Sequence, residues 1–300
     1  MRRWQSIARA TAVEILSEPL SLLVLIASVV LAVLAPAFHY HQFGEATRMA
    51  RDAGFSSLFT GGAVIAVFAT IRSFRREVES GTIEMALSRP VSRSMFFLAK
   101  TSGAAIAYLL FAATVLTVTA SIVHGAAVGG EIARQNGDVA RLWGPDFAAG
   151  TMVVILPLVV AALLNRFGRF RFCLSAFLLA PAVAVLTQAT RIVSPAVSSD
   201  VSFVRLLSVA IPVMSYTLVL LSASAAFSVR LRANAAASAA GLVFALSLPF
   251  VGNFYLPEAL SNGGALSWRY VTLASLMSVL ASSGFLVLGS GWEWRSGKVD

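Results

Sequence analysis

The sequence predicts an all-α fold, a polytopic bundle of transmembrane helices that forms a single domain over residues 1–300. Hydrophobic residues make up 58% of the 300 residues and charged residues only 12%, with a mean hydropathy of +0.81. Apolar runs of about 20 residues recur from end to end, and each can cross a hydrocarbon core of roughly 30 Å as a helix. These runs lack the alternation of apolar and polar residues that membrane-barrel strands show, so helices are expected.

The first element is an N-terminal helix over residues 1–19. Read at helical spacing, its apolar residues form one stripe, and Arg2, Arg3 and Arg9 lie off that stripe. This pattern is typical of a helix that lies along a membrane surface with basic residues toward lipid headgroups. The alternative is an ordinary solvated N-terminus. The stripe consists of Trp4, Ile7, Ala8, Thr11, Ala12, Ile15 and Leu16.

Eight apolar runs follow, and we expect each to span the membrane. Gly61 and Gly62 in the second run would allow close approach of another helix. Pro181 and Pro249 interrupt two of the later runs, and a six-span arrangement with one re-entrant pair is the alternative. The runs are Leu20–Phe38, Phe55–Ile71, Thr101–Val123, Phe147–Leu164, Phe172–Thr190, Leu206–Ser228, Ala235–Leu256 and Tyr270–Ser290.

Two features of the connections matter for the topology. Residues 124–146 are Gly-rich and predict a loop, and residues 165–171 predict a short turn with three arginines. The first run could also be a signal peptide, because residues 35–37 have the small-x-small form. Glu14 and Glu18 precede that run, and it is longer than a usual signal sequence, so a first span is favoured.

The distribution of charge predicts the orientation of the bundle. With the N-terminus in the cytoplasm and eight spans, 16 of the 23 Lys and Arg residues lie on the inner side, and the acidic residues divide equally. This is the positive-inside bias of membrane proteins. It places both termini and the stretch from Arg72 to Lys100 in the cytoplasm. It also accounts for the net charge of +9 without a nucleic-acid partner.

No residue pattern predicts a catalytic or metal site. The chain contains no G-x-x-x-x-G-K-[ST] phosphate-binding loop and no H-E-x-x-H motif. His39 and His41 have no nearby carboxylate pair, and Cys173 is the single cysteine. The centres of the predicted spans lack the carboxylates that ion-coupled carriers need. We therefore predict no metal, no catalytic residue and no ATP hydrolysis on this chain by the phosphate-binding-loop route.

The most charged stretch is Arg72–Lys100, which lies between two apolar runs. Residues 72–79 read as a continuation of the second span beyond the membrane. Ser92 or Ser94 can cap the next helix, which runs into the third span. The charged residues of the stretch are Arg72, Arg75, Arg76, Glu77, Glu79, Glu84, Arg89, Arg93 and Lys100.

Between these two helices the sequence predicts a third, very short one. Gly81 can break the preceding helix, Thr82 can cap a helix over Ile83–Ser88, and Glu84 in its first turn suits the helix dipole. Pro90 ends it, since the residue before a proline avoids the α conformation. A helix of about two turns is marginal alone in water. We therefore expect it to dock on a partner; the alternative is a solvated loop that only sets the topology.

The residues from 77 to 93 carry a family resemblance. The pattern Glu77-x-x-x-Gly81-Thr82-Ile83-Glu84-x-x-Leu87-Ser88-x-Pro90-Val91-Ser92-Arg93, with Lys100 at the mouth of the next span, resembles the cytoplasmic segment of ABC-2 type permeases. These are the membrane subunits of ABC exporters, and the likeness is closest to permeases grouped with multi-copper-enzyme maturation. The N-terminal helix resembles the interfacial elbow helix of that family. Six spans are usual in the family, so the eight counted here depart from it.

The resemblance implies that the short helix is a coupling helix seated on a separate P-loop ATPase subunit, which holds ATP and Mg²⁺. Two permease subunits, identical or different, would pair with two ATPases in the cell (inner or plasma) membrane. The chain itself would be no enzyme and would hold no cofactor. An ATP-independent carrier and a membrane-embedded enzyme are the alternatives. The residues expected to form the docking surface are Glu77, Glu79, Gly81, Thr82, Ile83, Glu84, Leu87, Ser88, Pro90 and Arg93.

Overall fold

The computed structural model contains helices and no strand over the residues that it describes, which are 2–34, 46–79, 92–136, 145–168, 171–192, 203–230, 241 and 280–289. This confirms the all-α prediction for that part of the chain. The helices are α1 (Arg2–Ser17), α2 (Pro19–Leu34), α3 (Ala46–Val64), a π-helix (Ile65–Ala69), α4 (Thr70–Glu79), α5 (Arg93–Asn136), α6 (Pro145–Gly168), α7 (Phe172–Ile192), α8 (Phe203–Arg230) and α9 (Leu280–Gly289).

Several of these helices are long and apolar enough to cross a membrane. Within the described residues there are four such stretches, and a fifth if α1 and α2, bent by 64° at their junction, count as one broken span. The apolar stretch Phe172–Thr187 of α7 and the helix α9 are shorter. The predicted run at 235–256 lies almost wholly outside the described residues, so the count of eight spans stays a prediction. The four stretches are Met49–Glu77, Ser94–His124, Thr151–Gly168 and Val209–Arg230.

The bundle core forms where α3, α5 and α8 pack together, with α2 against α3. The close approach predicted at Gly61 and Gly62 is confirmed. A Cβ atom added at Gly61 would lie 2.5 Å from Cζ of Phe111 and 2.5 Å from Oγ of Ser28. One added at Gly62 would lie 2.8 Å from the ring of Tyr108. Only a residue without a side chain lets the helices come this close.

The second span continues past its apolar run, as the sequence predicts. Helix α3, the π-helix and α4 follow one another without an interruption from Ala46 to Glu79. The predicted cap of the next helix is also present, because the backbone N–H of Met95 donates to Oγ of Ser92 over 3.3 Å. The segment 80–91, which holds the predicted coupling helix, lies outside the described residues.

Two predicted connections are wrong in their bounds. The predicted Gly-rich loop at 124–146 is helical as far as Asn136, because α5 continues through it. Each glycine costs a helix only about 1 kcal/mol relative to alanine, and the alanine, glutamate and glutamine residues between the glycines favour helix. The predicted turn at 165–171 is shorter than expected, since α6 runs to Gly168.

The N-terminal helix forms as predicted, and most of its stripe is buried. Ala8, Ala12, Ile15 and Leu16 are almost fully buried, whereas Trp4 remains 38% exposed. The stripe packs extensively against α5, so most of the apolar surface expected to face the membrane contacts protein instead. The position of α1 at the membrane surface stays a prediction.

Candidate functional site

The candidate site lies where α1, α4 and the first turns of α5 meet, at the two ends of the charged stretch. Of the predicted docking residues, Glu77 is the one whose side chain the structure describes. Glu79 and Arg93 are described as helical backbone, at the end of α4 and the start of α5. The other seven lie outside the described residues: Gly81, Thr82, Ile83, Glu84, Leu87, Ser88 and Pro90.

Aromatic packing brings α4 and α5 together below the charged stretch. The rings of Phe74 on α4 and Phe97 on α5 have centroids 5.5 Å apart and are tilted by 49°. Both side chains are buried, and together with Ala225 of α8 they form a small apolar cluster. The two ends of the predicted coupling segment are therefore neighbours in space.

A fully buried lysine joins the same two helices. The side chain of Lys100 has no exposed surface, and its Nζ atom lies 2.8 Å from Oε1 of Glu77. The same ammonium donates to the backbone oxygen of Ser73 over 2.7 Å. It also lies 5.2 Å from the ring centroid of Phe74 and 6.0 Å from that of Phe96. A buried ammonium is costly unless it is paired and hydrogen-bonded, and α4 supplies both kinds of partner.

A second set of polar contacts extends from α4 to α1. Oγ of Ser73 donates to Oε2 of Glu14 over 3.0 Å, and the other oxygen of Glu14 lies 3.8 Å from Arg76. Just after the end of α1, Glu18 Oε1 lies 3.3 Å from Nε of Arg72. We call this connected group the junction cluster. It consists of Glu14, Glu18, Arg72, Ser73, Arg76, Glu77 and Lys100.

The parts of the junction cluster differ in their exposure. The Arg72 and Arg76 side chains are 64% and 63% exposed, and ion pairs of such exposed groups contribute about 0–1 kcal/mol. Lys100 is buried, so its charge depends on Glu77 and on the Ser73 carbonyl. The interactions of the buried Lys100, which we call the centre of the cluster, therefore contribute more to stability than those of the two exposed arginines, which we call its rim.

Close packing fixes α1 against α5 beside this cluster. Gly103, one turn after Lys100, faces α1, and a methyl group there would overlap the backbone oxygen of Ala8 and the side chain of Thr11. The absence of a side chain at Gly103 lets the two backbones approach. Helix α1 is thus held to α5 by packing and to α4 by charge.

Glu18 occupies the bend between α1 and α2. Burial raises the pKa of the Glu18 carboxyl above its ordinary value, and the nearby Arg72 guanidinium opposes that rise. Its second oxygen, Oε2, is buried without a hydrogen-bond partner among the described atoms. The ionised form of Glu18 is therefore only partly compensated in the folded protein.

A second polar contact lies deeper in the bundle. The hydroxyl groups of Tyr108 on α5 and Thr217 on α8 form a buried hydrogen bond, directly opposite Gly62. Thr217 also donates within its own helix to the oxygen of Val213. These are uncharged groups, and in the described part of the chain no three His, Cys, Asp or Glu side chains are arranged so that they could hold a metal ion. The arrangement can join helices.

Sequence reasoning missed the acidic side of the junction cluster, although a signal was present. It used Glu14 and Glu18 only as an argument against a signal peptide. Glu14 and Glu18 are four residues apart, as are Arg72 and Arg76, so each pair lies on one face of its helix. Two helices with matching i, i+4 pairs of opposite charge are candidates for a side-by-side contact.

One comparison with known proteins finds a match. The family model described as ABC-2 family transporter protein matches residues 20–281. The match covers most of the chain, from the start of α2 to the start of α9. No curated protein and no solved structure matches the chain.

Proposed function

The chain belongs to the ABC-2 family of transporter proteins, and we propose that it is the permease subunit of an exporter that a separate ATPase drives. Membership makes it a multi-pass membrane permease component of an ABC transporter, a transport subunit rather than an enzyme. ABC-2 permeases generally pair with an ATP-binding subunit. In the proposal that subunit holds ATP and Mg²⁺ and docks on the segment between α4 and α5.

The observation that carries the coupling role is the buried ion pair of Lys100 with Glu77. These residues lie on the two helices that enter and leave the segment 80–91, and their atoms are 2.8 Å apart. Because α4 and α5 are joined at that point, a force applied to the segment reaches both helices at once. A solvated loop that only sets topology would not need a fully buried charge at its base.

The proposal assigns the coupling helix to Ile83–Ser88, with Glu77, Glu79 and Arg93 on its flanks. It places this segment and both termini on the cytoplasmic side of the inner or plasma membrane, as the excess of basic residues on that side predicts. Two permease subunits and two ATPases would form the transporter, and eight spans per subunit are expected. The energy source then lies on a chain other than this one.

Co-purification tests the docking. The tagged chain is extracted from its native membranes in a gentle detergent, and the proteins bound to it are identified. We expect a P-loop ATPase to be recovered with the natural chain. Glu84→Lys should release it, because the substitution reverses a charge on the docking helix, and Ile83→Asp combined with Leu87→Asp should release it by placing charge on the apolar side.

The matched control is Glu131→Lys, the same change of charge near the end of α5, which the proposal places on the opposite side of the membrane. This variant should keep the ATPase bound. Recovery of no P-loop ATPase with the natural chain would overturn the proposal. Equal loss with Glu131→Lys and with Glu84→Lys would overturn the assignment of the docking surface to residues 77–93.

A further inference from the structure

Helix α4 is held in two different ways along its surface. It packs mainly against α8 and touches α1 and α5 only over short stretches. Those short contacts contain the junction cluster, in which Lys100 of α5 reaches Glu77 and the oxygen of Ser73. Ser73 in turn reaches Glu14 of α1. Polar groups of four residues therefore connect the three helices.

The regular α-helical geometry of the chain changes at two places next to this junction. Helix α1 meets α2 at a bend of 64°. Helix α4 meets α3 at the π-helix Ile65–Ala69, where the backbone N–H of Thr70 donates to the oxygens of both Ile65 and Val67. The side-chain oxygen of Thr70 is buried without a hydrogen-bond partner among the described atoms. Bends and π-helices interrupt the regular ladder of helical hydrogen bonds and are places where direction can change.

We propose that Lys100 is a positioning residue that makes α1, α4 and the first turns of α5 one rigid unit. This inference rests on the proposed function, since the unit would carry a displacement of the coupling segment to the N-terminal helix. The unit turns about the bend at Glu18 and about the π-helix, and α5 continues from it into the membrane. Without Lys100, α4 would move together with α8, against which it mainly packs, and α1 would no longer move with α4.

The chemistry of Lys100 explains why a lysine suits this position. Its single ammonium bonds to a side chain and to a backbone oxygen of the same helix, four residues apart, so α4 is held at two points. Separation of α4 from α5 would leave a buried cation without either partner, and this opposes any movement that divides the unit. A methionine of similar length would fill the space and make neither bond.

Distances between spin labels test the rigid unit. Cys173→Ser removes the single cysteine, and cysteines are then placed at Ala10, which is exposed on α1, and at Val78 in the last turn of α4. In the natural background we expect one narrow distance distribution, unchanged when the partner ATPase is trapped with ADP and vanadate. A second label pair, Ala10 with the exposed Leu186 of α7, should change its distance on trapping, because the unit moves relative to the bundle.

Lys100→Met should broaden or split the distribution of distances between the labels at positions 10 and 78, so that the single narrow peak is lost. This change should be seen in the isolated permease, before any ATPase is bound. The matched control is Lys298→Met, since Lys298 is the other lysine of the chain, and it should leave the peak unchanged. Glu77→Gln, which keeps a hydrogen-bond acceptor and removes the charge, should broaden the peak less than Lys100→Met. It also serves as the test if Lys100→Met does not fold.

Two results would overturn the inference. One is a peak as narrow in the Lys100→Met protein, or in the Glu77→Gln protein, as in the natural background. The other is an Ala10 to Leu186 distance that stays unchanged on trapping while the ATPase is bound. Failure of any ATPase to bind the natural chain would instead contradict the proposed function, and the label distances in the isolated permease would still decide whether the unit is rigid.

Discussion

The junction cluster holds helices together by charge. In the core, Gly61 and Gly62 of α3 pack closely on Phe111 and Tyr108 of α5, and we call this the glycine contact. In the junction cluster, the fully buried Lys100 is joined to Glu77 over 2.8 Å. In the core, Gly61 and Gly62 let α3 lie directly on Phe111 and Tyr108, and the hydrogen bond of Tyr108 with Thr217 beside them joins uncharged groups. Charged side chains join the helices in the junction cluster, and small residues let the helices pack closely in the core.

The difference agrees with the solvents that the two regions are predicted to face. In hydrocarbon there is no gain from removing apolar surface from water, so helix contacts depend on close packing and on hydrogen bonds of modest strength. Near the aqueous face, water can hydrate the rim arginines, and only the central ammonium must be compensated by protein. We expect the junction cluster to be sensitive to the loss of a partner and the glycine contact to be sensitive to added volume.

The largest effect is expected from Glu77→Ala. It leaves Lys100 buried as an uncompensated charge or as a neutralised amine, and breaking a buried pair in this way costs about 3–5 kcal/mol. The free energy of unfolding in mixed micelles measures it. Arg76→Ala, which removes an exposed group from the same cluster, should cost about 0–1 kcal/mol. Equal losses in the two variants would contradict the distinction between centre and rim.

Added volume in the core is expected to have the next largest effect. Gly61→Leu forces side-chain atoms into Phe111 and Ser28, and overpacking of this kind costs about 1–3 kcal/mol. Gly284→Leu is the matched control, because a Cβ atom there would meet nothing within 4 Å. The thermal midpoint of the purified protein should fall for Gly61→Leu and hold for Gly284→Leu. A fall in both would show that leucine itself, rather than the close contact, is responsible.

A smaller loss is expected for Tyr108→Phe. The substitution removes the hydrogen bond to Thr217, and Thr217 keeps its bond to the oxygen of Val213. Hydrogen bonds between membrane helices average about 0.6 kcal/mol, so the free energy of unfolding should fall by about that amount. A loss as large as that of Glu77→Ala would contradict the assignment of the core contact to packing.

The smallest effect, and of opposite sign, is expected for Glu18→Gln. Burial raises the pKa of Glu18, so the ionised carboxylate weakens the folded state at neutral pH, and that penalty disappears as the pH falls below the ordinary glutamate range. The glutamine should raise the free energy of unfolding at neutral pH by less than about 1 kcal/mol, since the weak pair with Arg72 is lost too. The gain should vanish at acidic pH.

Glu14→Gln is the comparison for Glu18→Gln. Both oxygens of Glu14 face partners, Ser73 and Arg76, so its substitution should lower stability at neutral pH. A stability gain for Glu14→Gln, or a loss for Glu18→Gln, would contradict the roles assigned to the two carboxylates. Unfolding midpoints at neutral and acidic pH measure both.

Local rules predicted several features of this chain correctly. The continuation of the second span to Glu79, the cap at Ser92 and the close approach at Gly61 depend on residues adjacent in sequence, and each is confirmed. The same rules were wrong at residues 124–136, where glycines suggested a loop and the helix continues. Individual glycines weaken a helix by too little to end it when good helix formers lie between them.

The sequence by itself determined that the chain is a helical membrane protein, and it placed the charged stretch between two spans, because hydropathy and charge are properties of the residues alone. Only the tertiary structure decided that Lys100 is buried on Glu77 and that Glu14 and Glu18 face α4. Those contacts join residues up to 62 positions apart, as in the pair of Glu14 with Arg76. A local sequence pattern does not determine which helices contact each other. Burying a charge is costly unless its partner is present, so the contact between α4 and α5 is specific.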